Sequence, residues 1–118
     1  MAEKNLKESA EDIDHTAGHR DRLRQRFLKS GAGAVEDYEL LEVVLFAAIP
    51  RRDVKPLAKQ LLVKFGNIAG VLGAGIEELK AVKGISENSA VMLKTIHALT
   101  QRMLLDHLEK KPILPSWQ

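Results

Sequence analysis

The sequence predicts a compact all-α domain of five or six helices, and three observations predict it. Apolar residues recur three and four positions apart in successive segments, the spacing that lines one face of a helix. Glycine and proline punctuate the ends of these segments, as Gly31, Pro50 and Gly66 do, and the longest segment contains neither. No stretch alternates apolar and polar residues between turn signals as a strand would. The best exception, Val43 to Ile49, fits a helix equally well and has no evident β partner.

Taken in chain order, residues 1–16 hold few apolar groups and no sustained period, and are expected to form a flexible acidic tail leading to a break at Gly18. The segment HRDRLRQRFLK places Leu23 and Phe27 four apart on one helical side, with Arg20, Arg22, Arg24 and Arg26 around the remainder and Gly31 as its stop. Asp37 is the expected N-cap of a second helix, whose Leu40, Leu41, Val44, Leu45 and Ala48 recur at core spacing. That helix must finish near Ile49 and Pro50, because proline lacks an amide donor and restricts the residue before it. Asp53 caps the third helix and Pro56 is tolerated in its first turn. Leu57, Ala58, Leu61, Leu62 and Phe65 make its buried stripe, and Gly66 ends it. The apolar run IAGVL leads through Gly73 and Gly75 to a short helix containing Leu79 and Val82. The longest periodic segment then runs from Glu87 to about Leu108, with Ala90, Leu93, Ile96, Thr100 and Leu104 on its packing side. The folded body is therefore expected over residues 17–106. Residues 107–118 read as helix end and linker, punctuated by Pro112 and Pro115, with Trp117 outside the core.

Composition narrows the function classes. With 45% hydrophobic and 29% charged residues in 118, the chain reads as one globular domain rather than a disordered or membrane-spanning one. No apolar run approaches a spanning helix, and the acidic opening has neither the basic start nor the apolar stretch of a secretory signal, so no membrane partner and a cytoplasmic location are expected. The absence of cysteine excludes disulfides, thiolate nucleophiles and cysteine-based zinc sites. The net charge of +2 is uneven: residues 1–14 carry five acids and two lysines, leaving +5 on the rest. A basic body suits phosphate contacts but also suits plain solvation.

Two turns concentrate the interest. In ELKAVKGISENSAVMLKTI, Gly84 permits a tight turn, Ile85 inserts between helices, Ser86 or a neighbour caps the second helix, and Ala90 allows close approach of the backbones. Such a turn presents free amides at a helix N-terminus, where their dipoles favour a phosphate oxygen, and Lys83 adds attractive charge. The alternative is a plain αα-hairpin in which Gly84 only makes the turn. The stretch resembles a helix-hairpin-helix DNA-binding motif, usually Gly-hydrophobic-Gly; Gly84 and Ile85 match, while Ser86 stands where the second glycine would be. A second, less regular hairpin lies around Ile49 to Val54, where Arg51, Arg52, Lys55, Lys59 and Lys64 are offset only by Asp53. Arg51 and Arg52 suit phosphate contacts at a turn, whereas the lysines equally suit the solvated face of an amphipathic helix. Two adjacent hairpins gripping neighbouring phosphates gain from effective concentration when their spacing matches the duplex.

Together, GHRDRLRQRFLKSG, DYELLEVVLFAAIPRRDVKPLAKQLL and FGNIAGVLGAGIEELKAVKGI closely resemble the N-terminal domain of the RadC family, named for DNA repair, over about residues 18–104. The resemblance implies helix-hairpin-helix features ahead of a second domain similar to zinc-dependent, deubiquitinase-like metallopeptidases. That domain's HxH-containing metal motif is found nowhere in this chain, whose histidines are His15, His19, His97 and His107. Zinc is thus expected only in a downstream domain outside this chain, with no cofactor here.

The remaining candidates for chemistry have simpler explanations. His15 and His19 lack a persuasive remaining ligand set, His97 fits a partly buried hydrogen-bonding role on the last helix, and His107 fits the helix end. Asp12, Asp14, Glu36, Asp37, Glu39 and Glu42 have no defined pocket or metal set, and Ser86 and Ser89 have no activating base. Glu77 and Glu78 fit a first helical turn, Gly73 and Gly75 form no nucleotide-binding loop, and Tyr38 fits packing better than stacking on a base. The expectation is a noncatalytic module contacting double-stranded or branched DNA through Arg51, Arg52, Lys55, Lys83, Gly84, Ile85 and Ser86, with Arg20, Arg22, Arg24 and Arg26 as secondary contacts. The alternative is a protein-interaction or regulatory domain for the downstream metallopeptidase-like region.

Overall fold

The computed structural model describes residues 17–110, which contain six α-helices and a single 3-10 turn with no strand among them. The fold is all-α. The expected acidic tail, His15, the C-terminal linker residues 111–118 and Trp117 lie outside the described residues.

The first helix, α1, spans 17–30, so Gly18 is within the helix and marks no break. One glycine costs about 1 kcal/mol in a helix, and the inward packing of Leu23 and Arg20 just beyond it outweighs that. Gly31 ends α1 at φ 81, and the turn Ala32–Ala34 leads to α2, Asp37–Ala48. The N-cap of α2 is Glu36 rather than Asp37. The Glu39 carboxylate reaches back to accept the Glu36 amide at 2.9 Å, which moves the start one residue earlier.

Helix α3, Lys55–Phe65, follows the Ile49 to Val54 turn. Pro56 occupies its first turn, and Asp53 Oδ1 accepts the Lys55 amide at 3.0 Å. Helix α4, Ile68–Gly73, is capped by Asn67 Oδ1, which accepts the Gly70 amide at 2.8 Å. Gly70 is obligatory for contact rather than for conformation, since a Cβ there would stand 2.0 Å from the Phe65 carbonyl oxygen. Helix α5 is the short Ile76–Lys80; Val82 lies beyond it in the following turn, yet is buried. The longest helix, α6, is Glu87–Lys110 and carries no glycine or proline to interrupt it.

Leu45, Leu61, Val71, Leu79 and Leu93 are fully buried, one from each of α2 to α6, so these five helices share one core. Each such side chain contributes about 1.5–3 kcal/mol by leaving water. Leu23 brings α1 into the same cluster. Helix α6 packs on α2, α4 and α5 with its first half only: Ser89, Ala90 and Leu93 are buried, whereas every residue of 98–110 is exposed. Thr100 and Leu104, expected on the packing side, are therefore exposed, Leu104 at 54%. The helix outruns the short elements α4 and α5, and no described element lies beside its last turns.

Candidate nucleic-acid interface

The helix-connecting turn in KGIS is built from its own backbone. Gly84 adopts φ 101, a region that side chains avoid, and this turns the chain sharply between α5 and α6. Ile85 then enters the core at 6% exposure, and its amide donates to the Val82 carbonyl at 3.0 Å. Ser86 precedes α6 and supplies its cap, with Oγ accepting the Ser89 amide at 3.2 Å and lying 3.0 Å from Ser89 Oγ. No residue other than glycine has positive φ among the described residues, so serine at position 86 carries no backbone strain. Glu87 and Asn88 occupy the first helical positions, whose amides have no intrahelical acceptor. Lys83 is exposed beside them, and Glu87 contributes an opposing charge.

The α2–α3 turn lies against this hairpin. The Arg52 guanidinium donates to the Gly84 carbonyl at 3.2 Å, which joins the two turns foreseen separately in the sequence into one surface. Arg51, Arg52 and Lys83 are exposed and Lys55 is half-buried, 5.8 Å from the Tyr38 ring. Lys59 lies closer to that ring, at 4.8 Å, so Tyr38 packs beneath lysines rather than standing free. Gly84, Ile85 and Ser86 thus act through main chain and packing, and Arg51, Arg52 and Lys83 carry the outward charge.

The four arginines of α1 separate. Arg22, Arg24 and Arg26 are exposed, but Arg26 pairs with Glu39 and Arg24 lies 5.3 Å from the Phe46 ring. Burial works against the Glu39 carboxylate, but the Glu36 amide and Arg26 outweigh it and hold its pKa below the ordinary value. Arg20 is 6% exposed and points inward, contrary to its expected outward role. It donates to the carbonyls of Phe46 at 3.1 Å, Ile49 at 2.5 Å and Arg52 at 2.6 Å, and its guanidinium stacks 4.6 Å from the Phe46 ring. Desolvation, followed by the neighbouring Arg24 charge, lowers its pKa.

Glu42, read in the sequence only as one acid among several, is fully buried in α2, with Oε1 accepting from His19 Nε2 at 3.0 Å. A further tie joins α6 to the end of α4, where Lys94 donates to the last-turn carbonyl of Leu72 at 3.0 Å, with His97 Nδ1 3.4 Å from the same ammonium. His97 is half-buried.

Among the described residues, no three His, Cys, Asp or Glu side chains are placed to hold a metal ion, and no helix is long and apolar enough to cross a membrane. A groove of about 500 Å³ lies on the outer half of α6, lined by Ala98, Gln101, Arg102, Leu104, Leu105 and Leu108. Leu99 and Met103 extend the apolar exposure around the same turns.

These features define a small all-α domain with a basic end made of two joined turns. The model of the UPF0758 N-terminal family matches residues 15–91. A UPF0758 protein of Ruegeria pomeroyi is 48% identical over 99 residues, covering 84% of this chain and 44% of the relative. Another, from Rhodobacter capsulatus, is 48% identical over 96 residues, covering 81% of this chain and 45% of the relative. The chain belongs to the UPF0758 family, the RadC-like proteins, and represents its N-terminal region. It spans less than half the length of these relatives. No solved structure matches it.

Proposed function

We propose that this domain is a noncatalytic DNA-binding module of a DNA-repair-related protein, gripping the phosphate backbone of duplex or branched DNA. Arg51, Arg52, Lys55 and Lys83 supply charge, and the Gly84-Ile85-Ser86 turn presents the Glu87 and Asn88 amides at the start of α6. The observation that carries this reading is the hydrogen bond from Arg52 to the Gly84 carbonyl, 3.2 Å long, which makes one surface of two turns. Guanidinium and amide donors at one end favour a run of phosphates over base edges, so affinity is largely independent of sequence. The location consistent with this reading is the cytoplasm.

The test is titration of labelled duplex, junction and single-stranded DNA at several salt concentrations. Each phosphate contact contributes about 0.9 to the slope of log affinity against log salt on duplex DNA. Arg51→Ala is expected to lower affinity for every sequence and reduce that slope by about one. Folded parent protein that binds none of these DNAs at low salt defeats the reading.

A second reading rests on a different observation, the exposed Leu99, Met103, Leu104, Leu105 and Leu108 of α6. Here the domain is an interaction or regulatory module for a downstream zinc metallopeptidase-like region, docked on that helix. Arg51→Ala would then leave docking intact while DNA binding falls, so the two readings separate by one variant.

A further inference from the structure

Where α2 ends, its last carbonyls have no helical donor. Phe46 lies in the last turn of α2, Ile49 is its C-cap, and Arg52 belongs to the turn beyond. One guanidinium, from Arg20 on α1, takes a carbonyl from each of the three. A planar fork with donors on separate nitrogens suits this task; a lysine ammonium is a single point and does not span the same three acceptors. The connection continues outward. Arg52 gives its carbonyl to Arg20 and, through its own side chain, donates to the carbonyl of Gly84. The inward-facing Arg20 of α1 is thereby linked to the α5–α6 turn through Arg52, which alone of the two arginines reaches solvent.

We infer that Arg20 is a positioning residue for the phosphate-binding surface: acting through Arg52, it holds the Arg51-Arg52 turn at a fixed spacing from the Gly84 hairpin and touches no phosphate itself. This rests on the DNA-binding reading. Two weak contacts reinforce one another only when their spacing is set before binding, since otherwise binding must also order the turn. Ordering one backbone residue costs about tenfold in affinity, which sets the scale of the expected effect.

The experiment compares parent and Arg20→Lys in duplex titrations across salt, with circular dichroism to fix the folded fraction and the Gly84 amide resonance as a local reporter. A positioning role predicts a loss on the order of tenfold at every salt concentration, with the slope unchanged, because the same phosphates are contacted at an added ordering cost. The Gly84 resonance moves although position 20 does not touch it. A slope reduced by about one makes Arg20 a phosphate contact and overturns the inference. Parent-like affinity at all salts also overturns it while leaving DNA binding intact, whereas a parent that binds no DNA removes the reading beneath it. If Arg20→Lys does not fold, Arg52→Lys interrupts the relay at an exposed position with charge retained. A severalfold loss at unchanged slope supports the relay, and parent-like binding refutes it.

Discussion

Gly84→Ala tests whether the α5–α6 turn is held by backbone conformation. At φ 101 an alanine Cβ crowds its own carbonyl, which costs roughly 1–3 kcal/mol. The same Cβ would stand 3.3 Å from an Arg52 guanidinium nitrogen and 3.4 Å from Leu57 Cδ1. The Arg52 end is exposed and yields cheaply; Leu57 is 7% exposed and yields less. Strain therefore dominates, and the expected destabilisation is about 2 kcal/mol. A domain of this size is stable by roughly 5–15 kcal/mol, so the variant still folds, with Tm lower by roughly 8–16 °C. Gly73→Ala is the matched control. Gly73 ends α4 without positive φ, and its Cβ would meet nothing within 4 Å, so alanine there stabilises by up to about 1 kcal/mol. Urea unfolding followed by circular dichroism measures both. If Gly84→Ala lies within about 0.5 kcal/mol of the parent, or shifts in the same direction as Gly73→Ala, the conformational argument is wrong.

The depressed pKa of Glu39 means that its contribution is fully present above the ordinary carboxylate value and is lost as pH falls through the lower folded value. The stability advantage of the parent over Glu39→Gln should accordingly shrink in acid, and an advantage independent of pH would contradict the ionic pairing. Leu104→Glu combined with Leu108→Glu should leave unfolding within about 0.5 kcal/mol of the parent, since both residues are more than half exposed. Under the second reading the pair abolishes association with the downstream region, and undiminished association would exclude this face. Zinc added to the 118-residue chain should produce no turnover of peptide or isopeptide substrates; reproducible turnover by the purified chain would place catalytic groups within it.

Helix boundaries were legible where backbone chemistry dictates them. Pro50 and Gly66 stop α2 and α3, and Gly84 and Ser86 turn and cap where local pattern requires. Side-chain reach was less legible. Glu39 starts α2 early by bonding back to Glu36, a contact three residues away that competes with the equally plausible Asp37 cap. The outer half of α6 keeps the apolar spacing of its buried half, so periodicity alone extends the packing stripe through Leu104. Periodicity reports which residues share a face; it does not say whether a neighbour is long enough to cover that face.

The α1 arginines show why charge composition overstates a phosphate surface. Arg20 precedes Leu23 by three residues, so helical geometry puts both on the buried side, and the signal for its inward direction was present in the spacing. Its partners were not, because three carbonyls without helical donors become visible only when the end of α2 is placed in space. Glu42 has the same logic, lying three residues before buried Leu45 and meeting His19 from the facing helix. Arg26 is drawn to Glu39 and Arg24 to the Phe46 ring, and among the described residues Arg22 has neither kind of partner. Of the four α1 arginines, Arg20 is turned inward and Arg26 is paired with Glu39, so Arg22 and Arg24 carry the outward charge of this helix. Outward charge is also carried by the α2–α3 turn and the hairpin it touches, where Arg51 and Lys83 are exposed and Arg52 couples the two turns, and it is there that the DNA-binding proposal rests.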